Sequence, residues 1–504
     1  MTIYLWPLSQ TRSDSNMGLD FTPKTYDEIP EDKQPSLGEA LVPIAGMLLF
    51  LSAGMIWFDM DPQMPLLWGI AFAGLFGRYY FGYSWSDLYD GIGRSILTGL
   101  QAILILFVIY MLISSWIDSG TIPTLMYYGL EFLSPRIFLP FTVVLSAVVA
   151  FAIGSSWTTA GTLGVAMIGI GSGLGIPEAM TAGAVLSGAY TGDKNSPLSD
   201  TTNLAAAVTN TELMDHIRAM RPGTAISFAI SLVLFVVLGL SASGTIPVGR
   251  VAEIQGGLSS SYVISPVTFV PLVITFALAL YGFPALPSLG AGIFTGVGVS
   301  IAVQGTSFAA AWETVHNGTG PETGVDLTNE LLASGGLSGS VWVISIVIAA
   351  LALGGILQET GVLAAIAYHI GRAVSSVAGL TAGTAVGTVA MNFLAAEQYM
   401  AIVVPGMTLQ NLYDEYDLES RNLSRAVEAS GTTTSAFVPW GSGGVFMASA
   451  LGVPVIEYAP YYFFGILSPL VLILMGVTGW GIVYTDDTDR DDAEKTAEPT
   501  PTVD

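Results

Sequence analysis

Cysteine is absent from the 504 residues. Disulfide frameworks, thiolate zinc sites and thiol nucleophiles are therefore excluded. Histidine is nearly absent, and His216, His316 and His369 stand far apart with no ligand spacing. Charge is scarce, at 11% of residues where a soluble domain carries roughly 25%. Bases are the scarcer sign, with 15 Lys and Arg against 39 Asp and Glu, a net charge of −24. That sign disfavours nucleic acid as a partner. No Gly-Lys-Ser/Thr element offers a cradle for ATP phosphates, which argues against a primary pump. No nucleophile–base pair or metal cluster points to an enzyme, and no cofactor is expected. The first residues lack a basic region, an apolar core and a small-residue cleavage site, so no signal peptide is expected.

What is present is hydrocarbon. Hydrophobic residues make up 52% of the chain, with a mean hydropathy of +0.64. Apolar runs such as 225–240 and 263–280 suit a hydrocarbon layer ~30 Å thick, which takes ~20 helical residues to cross. The fold class expected is all-α and polytopic, a multi-pass protein of the cell membrane. Much of the acidic excess lies in the two tails and in loops such as Asp414-Glu415-Tyr416-Asp417. An acidic exterior with few lysines suggests a salt-rich, halophilic cytoplasm, where screening acts over ~3 Å at 1 M salt.

Along the chain we expect a polar tail at 1–38, a transmembrane repeat at 39–243, a linker at 244–261, a second repeat at 262–484 and an acidic tail at 485–504. Spans are expected at 41–58, 65–82 and 92–117, with an interfacial helix at 120–133. An apolar arm, 136–153, leads to the polar tip Gly154-Ser155-Ser156-Trp157-Thr158-Thr159 and a glycine-rich return to Gly175, which suggests a re-entrant hairpin. A helix begins at Pro177, breaks between Asp193 and Asp200, and a span at 222–242 closes the half. Pro439 stands 242 positions after Pro197, and the same offset sets Gln398-Tyr399 on Ser156-Trp157. Such internal similarity marks duplicated transporter folds. With about five spans each, an odd number, the two repeats are expected to be inverted, so that their polar tips approach the midplane from opposite faces.

The most informative stretch is Gly192-Asp193-Lys194-Asn195-Ser196-Pro197-Leu198-Ser199-Asp200-Thr201-Thr202-Asn203. Ionised groups in hydrocarbon cost at least ~2.5–3.5 kcal/mol each, so they are there for a reason. A helix broken by proline also frees carbonyls and amides that replace a cation's water shell. With Ser155 to Thr162, Gly188 to Lys194, Gln398 to Val403, Ser430 to Ser435 and Pro439-Trp440, it resembles the NhaC-type sodium/proton antiporter family over roughly residues 40–480. The resemblance implies secondary transport of sodium or lithium against protons, on a fold with paired hairpins. Departures cluster in the second half. Glu397 stands where the family commonly has Asp, after Ala396 in place of Gly. Ala429 replaces an acid after Glu428, and Gly441-Ser442 replaces Asn-Thr. These departures bear on the second-half ligands, and some relatives exchange organic acids or amino acids.

The chemistry follows from the residue types. Sodium prefers oxygen ligands, and carboxylate, hydroxyl, amide oxygen and freed carbonyl all qualify. A carboxylate that holds either a proton or the metal couples the two, and burial raises its pKa from ~4 toward neutrality. Asp200 is read as the main cation ligand, crowded by Ser199, Thr201, Thr202 and Asn203, with helix N-capping as the plain alternative. Asp193 is read as the proton carrier or as the ion-pair partner of Lys194, and the two aspartates' roles are exchangeable. Sodium would be held by both. Lys194 either holds the empty site neutral or snorkels to the membrane edge. Ser155, Ser156 and Thr158 offer hydroxyls at the first tip. Glu397 occupies the position mirrored by Ser155, and Glu428 lies in the second broken helix. Thr433, Thr434 and Ser435 are weaker candidates. His369 is read as a surface histidine. Sodium or lithium, the proton and the bilayer are the expected partners, and a homodimer is compatible with the sequence. The rival within transport is an ion-coupled exchanger of organic acids or basic amino acids; a basic residue or a wider apolar cavity at the hairpin tips would favour it. A pore open on both sides would favour a channel.

Overall fold

A computed structural model describes residues 25–241 and 248–485. The tails expected at 1–38 and 485–504 fall largely outside those residues, as does the start of the 244–261 linker. The described residues form helices and no strands beyond two isolated bridges. Among the described residues, seven helices are long and apolar enough to cross a membrane, or up to nine if each of two bent pairs is one span, among them Leu37–Trp57, Leu100–Asp118, Leu213–Ser241 and Gly336–Glu359. The protein is an all-α, multi-pass membrane protein.

Two core helices, Leu100–Asp118 and Gly336–Glu359, carry the centre, with Leu106, Ile109, Leu112, Val347, Leu351 and Leu357 buried in one cluster. The halves pack reciprocally around them. Gln63–Tyr79 and Trp85–Thr98 of the first half lie on Gly336–Glu359 of the second. Ala285–Val299 and Phe308–Asn317 of the second half lie on Leu100–Asp118 of the first. Each core helix ends in an acid, Asp118 or Glu359, followed within two residues by a left-handed glycine, Gly120 or Gly361. A short helix then starts, Thr121–Phe132 or Val362–Arg372.

Three expectations need correction. The span placed at 92–117 is two helices, Trp85–Thr98 and Leu100–Asp118. The first has its own N-terminal capping box, Ser84 with Asp87, and the chain bends at Gly99, where a Cβ would lie 2.5 Å from Leu351. Its polar Asp87, Asp90 and Arg94 hid it from a reading based on hydropathy. The closing helix starts at Leu213, before the expected 222, and carries Pro222 inside it. The expected linker contains a helix, Val248–Ser261, with Ile254 and Leu258 buried.

Each half then builds a helical hairpin. Pro135–Ile153 turns at Gly154 into Ser156–Thr159, a wide π turn at Ala160–Gly164, and Val165–Gly173. Val377–Ala395 turns at Ala396 into Gln398–Thr408. The broken helices follow. Glu178–Asp193 resumes as Asp200–Val208. Ser420–Val427 runs through a π turn, Glu428–Thr432, and resumes as Ser442–Leu451. Glu178–Asp193 is rich in glycine, alanine, serine and threonine, which let it meet backbone. A Cβ on Gly188 would lie 2.2 Å from the Val143 carbonyl, and one on Gly192 would lie 2.1 Å from that of Ala147. Without a hydrophobic drive between helices in lipid, such close backbone packing is what joins them. It sets the tip of the first hairpin level with the first break.

Candidate functional site

The first tip and the first break meet at Asp193. The return helix needs an N-cap, and Ser155 supplies it, its Oγ accepting from Thr158 N at 3.1 Å. That aims the next residue at the break. Ser156 donates to Asp193 Oδ2 twice, from its backbone N at 3.0 Å and its Oγ at 2.7 Å. Asp193 is 3% exposed, and its Oδ1 has no protein partner. A buried carboxylate oxygen left without a donor is costly unless something else satisfies it. Thr158 Oγ1 and Thr202 Oγ1 are also buried and unpartnered, so free acceptors remain around this break.

Lys194 points the other way. Its side chain is fully buried, and Nζ donates to the backbone carbonyl of Glu428 at 2.5 Å. It neither snorkels nor pairs with Asp193, so both of those alternatives are corrected. The two breaks face each other, which brings the Glu428 carbonyl, at the start of the second π turn, within reach of Lys194. The Glu428 carboxylate is buried as well. It accepts from Thr201 Oγ1 at 3.0 Å and from Thr432 Oγ1 at 2.8 Å. The two breaks are thus stitched together by Lys194 and Thr201 from one side and Glu428 from the other.

Asp200 stands apart from this knot. Pro197 and Leu198 turn outward, and Asp200 follows them to an exposed position. It still lies beside both tips. Tyr399, two residues past the second tip, donates its hydroxyl to Asp200 Oδ2 at 2.5 Å. Oδ1 accepts from Thr201 N at 2.9 Å. The two aspartates differ in burial, with Asp193 inside and Asp200 on the rim, although both line one small cavity. Ser199 caps the half-helix, and Thr202 sits buried behind it. Asn203 faces away from the site, donating to the carbonyls of Pro197 and Ser199.

The second tip carries its charge in the cap. Glu397 is buried, and its Oε2 accepts from Tyr399 N at 2.5 Å and Met400 N at 3.3 Å. Its other oxygen accepts from Ser442 Oγ at 3.4 Å. Gln398 Oε1 accepts from Ser435 Oγ at 3.1 Å. Thr433 and Thr434 bond back to the carbonyls of Ala429 and Ser430 and add little. His369 is edge-on to Tyr26 of the N-terminal segment, well outside the site.

The space available is small. A cavity of about 20 Å³ is lined by Ala102, Ile105, Ser155, Trp157, Asp193, Asp200, Gln398 and Tyr399, room for about one water or one bare cation. Beside it, a cavity of about 260 Å³ reaches Gly154, Ser155, Leu198 and Asp200, with Ile105, Ile153, Ala279, Phe283 and Pro284 as an apolar wall. Among the described residues, no three His, Asp or Glu side chains converge to hold a metal ion. Chemically, two carboxylates, Asp193 and Asp200, line a small space with Glu397 and Glu428 buried nearby, an arrangement that favours cations. Sequence reading missed Tyr399, Gln398, Trp157 and Ala102. The 242-residue offset held a signal for two of them, since it sets Gln398-Tyr399 on Ser156-Trp157.

A family profile described as the Na+/H+ antiporter family matches residues 38–202 and 188–480. The arginine/ornithine antiporter ArcD of Halobacterium salinarum is 58% identical over 471 residues, covering 93% of this chain and 97% of that protein. The Na(+)/H(+) antiporter NhaC of Alkalihalophilus pseudofirmus is 38% identical over 452 residues, covering 90% of this chain and 97% of its own. The malate-2H(+)/Na(+)-lactate antiporter of Bacillus subtilis is 35% identical over 452 residues, covering 90% and 96%.

Proposed function

This chain belongs to the Na+/H+ antiporter family, and from that premise we propose that it exchanges cationic amino acids of the arginine and ornithine type across the cell membrane. The observation that carries this reading is that the arginine/ornithine antiporter shares far more of its sequence with this chain than the sodium/proton antiporter does. The wide cavity against the first tip supports it. Its apolar wall suits the methylenes of a long side chain, and Asp200 on its rim suits a guanidinium or ammonium. Arginine and ornithine carry the same charge near neutral pH, so one-for-one exchange moves no net charge.

Sodium/proton exchange is the second reading. The void of about 20 Å³ favours it, because a space of that size beside Asp193 takes a bare ion and no organic molecule in this conformation. In that reading Asp193, with one oxygen free, binds either the proton or the metal. The two breaks and the two tips supply oxygen ligands from mirror-related, inverted repeats.

Proteoliposomes separate the two. Vesicles loaded with ornithine should take up labelled arginine without sodium, at a rate unaffected by a clamped membrane potential. No counterflow, together with sodium-dependent collapse of an imposed pH gradient, would hand the case to sodium/proton exchange.

A further inference from the structure

Two tyrosine hydroxyls bond across elements along the core helix Leu100–Asp118, one at the small void beside Asp193 and one further along. The core helix Leu100–Asp118 orients them. Gln101 and Ile105, near its start, line the cavity of about 260 Å³ that ends at Asp200. Tyr110, Ile113 and Ile117, further along, line a second cavity of about 260 Å³ with Glu178, Glu330, Ser334 and Ser449. From Gln101 to Ile117 the helix rises about 24 Å at 1.5 Å per residue, so the cavities lie toward opposite ends of it.

At the first end, Tyr399 and Asp200 both line the small void, and Asp200 also lines the larger cavity. The bond from Tyr399 to Asp200 therefore spans the neck between them. Both Asp200 oxygens are engaged, one by Tyr399 and one by Thr201 N. A cation that binds Asp200 competes with these two donors. At the other end, the Tyr110 hydroxyl bonds Ser449 Oγ, tying the core helix to the half-helix Ser442–Leu451. Between the two bonds, Trp157 stacks on Phe446 with ring centroids 4.3 Å apart and planes 14° from parallel. Trp157 lines the void, and Phe446 lies on the same half-helix as Ser449, so this stack forms the floor of the site on the Tyr110 side.

We propose that the Tyr399–Asp200 and Tyr110–Ser449 hydrogen bonds are the two gates of this antiporter, each closing the site toward one face of the membrane. They join different elements: hairpin to half-helix at one end, core helix to half-helix at the other. One can break while the other holds, which alternating access requires. The inference rests on the antiporter reading and is independent of which cation is exchanged.

The absence of cysteine makes the test direct. Ala102 is buried, lines the void and makes no side-chain hydrogen bond, so Ala102→Cys is a reporter of access. An impermeant maleimide is applied to one face of oriented vesicles at a time, and the labelling rate is read. Loss of one hydrogen bond to a charged acceptor shifts a two-state equilibrium by about tenfold. Tyr399→Phe should raise labelling by about that factor from one face only. Tyr110→Phe should raise it from the opposite face only, by a smaller factor. Asp200→Ala and Ser449→Ala, which break the same bonds from the other side, should reproduce the face preference of their partners. The proposal is overturned if either Phe variant leaves labelling unchanged, if either raises it equally from both faces, or if the partner substitutions reverse the preference. Because labelling reads access and not flux, a failed arginine or sodium assay leaves this result standing.

Discussion

In the first half, Ser156 at the hairpin tip donates to Asp193 at the break. In the second half, the residues 242 positions further on are Gln398 and Ser435, and they bond to each other as well. The offset also sets Glu397 on Ser155, both N-caps of the return helices, and Ser442 on Asp200, both first residues of the resumed half-helices. The contacts are repeated, but the charges are not. The first half holds its carboxylates in the break, at Asp193 and Asp200. The second half has hydroxyls at those positions and holds its carboxylates at the tip, Glu397, and in the π turn, Glu428. The repeated contacts are therefore scaffolding, and the unequal charges gather into one acidic site shared by both halves. Two equal sites would need the same acids in each.

The sharpest way to break this comparison is to neutralise one member of each matched pair. Asp193→Asn keeps an acceptor for the Ser156 backbone N–H but removes the ionisable group. Exchange in proteoliposomes should fall by about 100-fold, as loss of a buried, hydrogen-bonded charge generally costs 2–5 kcal/mol of function. Ser435→Ala, its mirror, should cost less than about tenfold, the worth of one ordinary hydrogen bond. Equal losses would mean the shared contact, and not the charge, carries transport. Next comes the link between the breaks. Lys194→Met strands the Glu428 carbonyl and leaves its carboxylate without a neighbouring cation. Thermal stability should fall, and adding Glu428→Gln should recover part of it, with a coupling of about 1–3 kcal/mol in a double-mutant cycle. Strict additivity would show that Lys194 and Glu428 act separately.

Much of this was legible because charge is so rare in the chain. An Asp-Lys pair, a proline and a second Asp inside apolar sequence identify a broken helix, and the helix ends at Asp193 and resumes at Asp200 as that reading required. The offset of 242 located the second tip and the second break. What could not be read is what each polar group faces. Lys194 bonds a carbonyl 234 positions away, at the start of a π turn that has no clear sequence mark. The exposure of Asp200 follows from how Pro197 and Leu198 turn, which composition does not encode. Tyr399 sits beside Glu397 in a recognisable motif, yet its partner lies 199 positions earlier, so nothing local marked it as part of the site. Trp85–Thr98 was missed for the opposite reason: its polar residues lower its hydropathy although one face packs on the core, where Arg94 pairs with the buried Glu359.

The caps sharpen the comparison at lower energies. Removing an N-cap side chain generally costs 0.5–2 kcal/mol. Ser155→Ala should fall near the low end of that range. Glu397→Ala should fall at the high end, because a carboxylate on two backbone N–H groups also meets the positive end of the helix. Melting in detergent would order them, and the reverse order would deny Glu397 its capping role.

The smallest effect lies one residue earlier in the second hairpin, although both tips use a left-handed residue. Gly154 has φ of +75° and Ala396 has φ of +54°. An L-residue there costs roughly 1–2 kcal/mol. At Gly154 space forbids a side chain as well, since a Cβ would lie 2.6 Å from the Leu198 carbonyl carbon, which is backbone and cannot move aside. Gly154→Ala should therefore destabilise the protein and displace the loop that carries Asp200. At Ala396 the methyl is already accommodated, and only the backbone conformation is strained. Ala396→Gly relieves that strain, but glycine gives back roughly 0.5–1 kcal/mol through the freedom it adds to the unfolded chain. The two terms nearly cancel, so Ala396→Gly should change the melting temperature little, with a slight gain, and leave exchange intact. A large loss would mean that the Ala396 methyl packs against something that holds Glu397 in place, and that the second tip depends on side-chain contacts where the first depends on their absence.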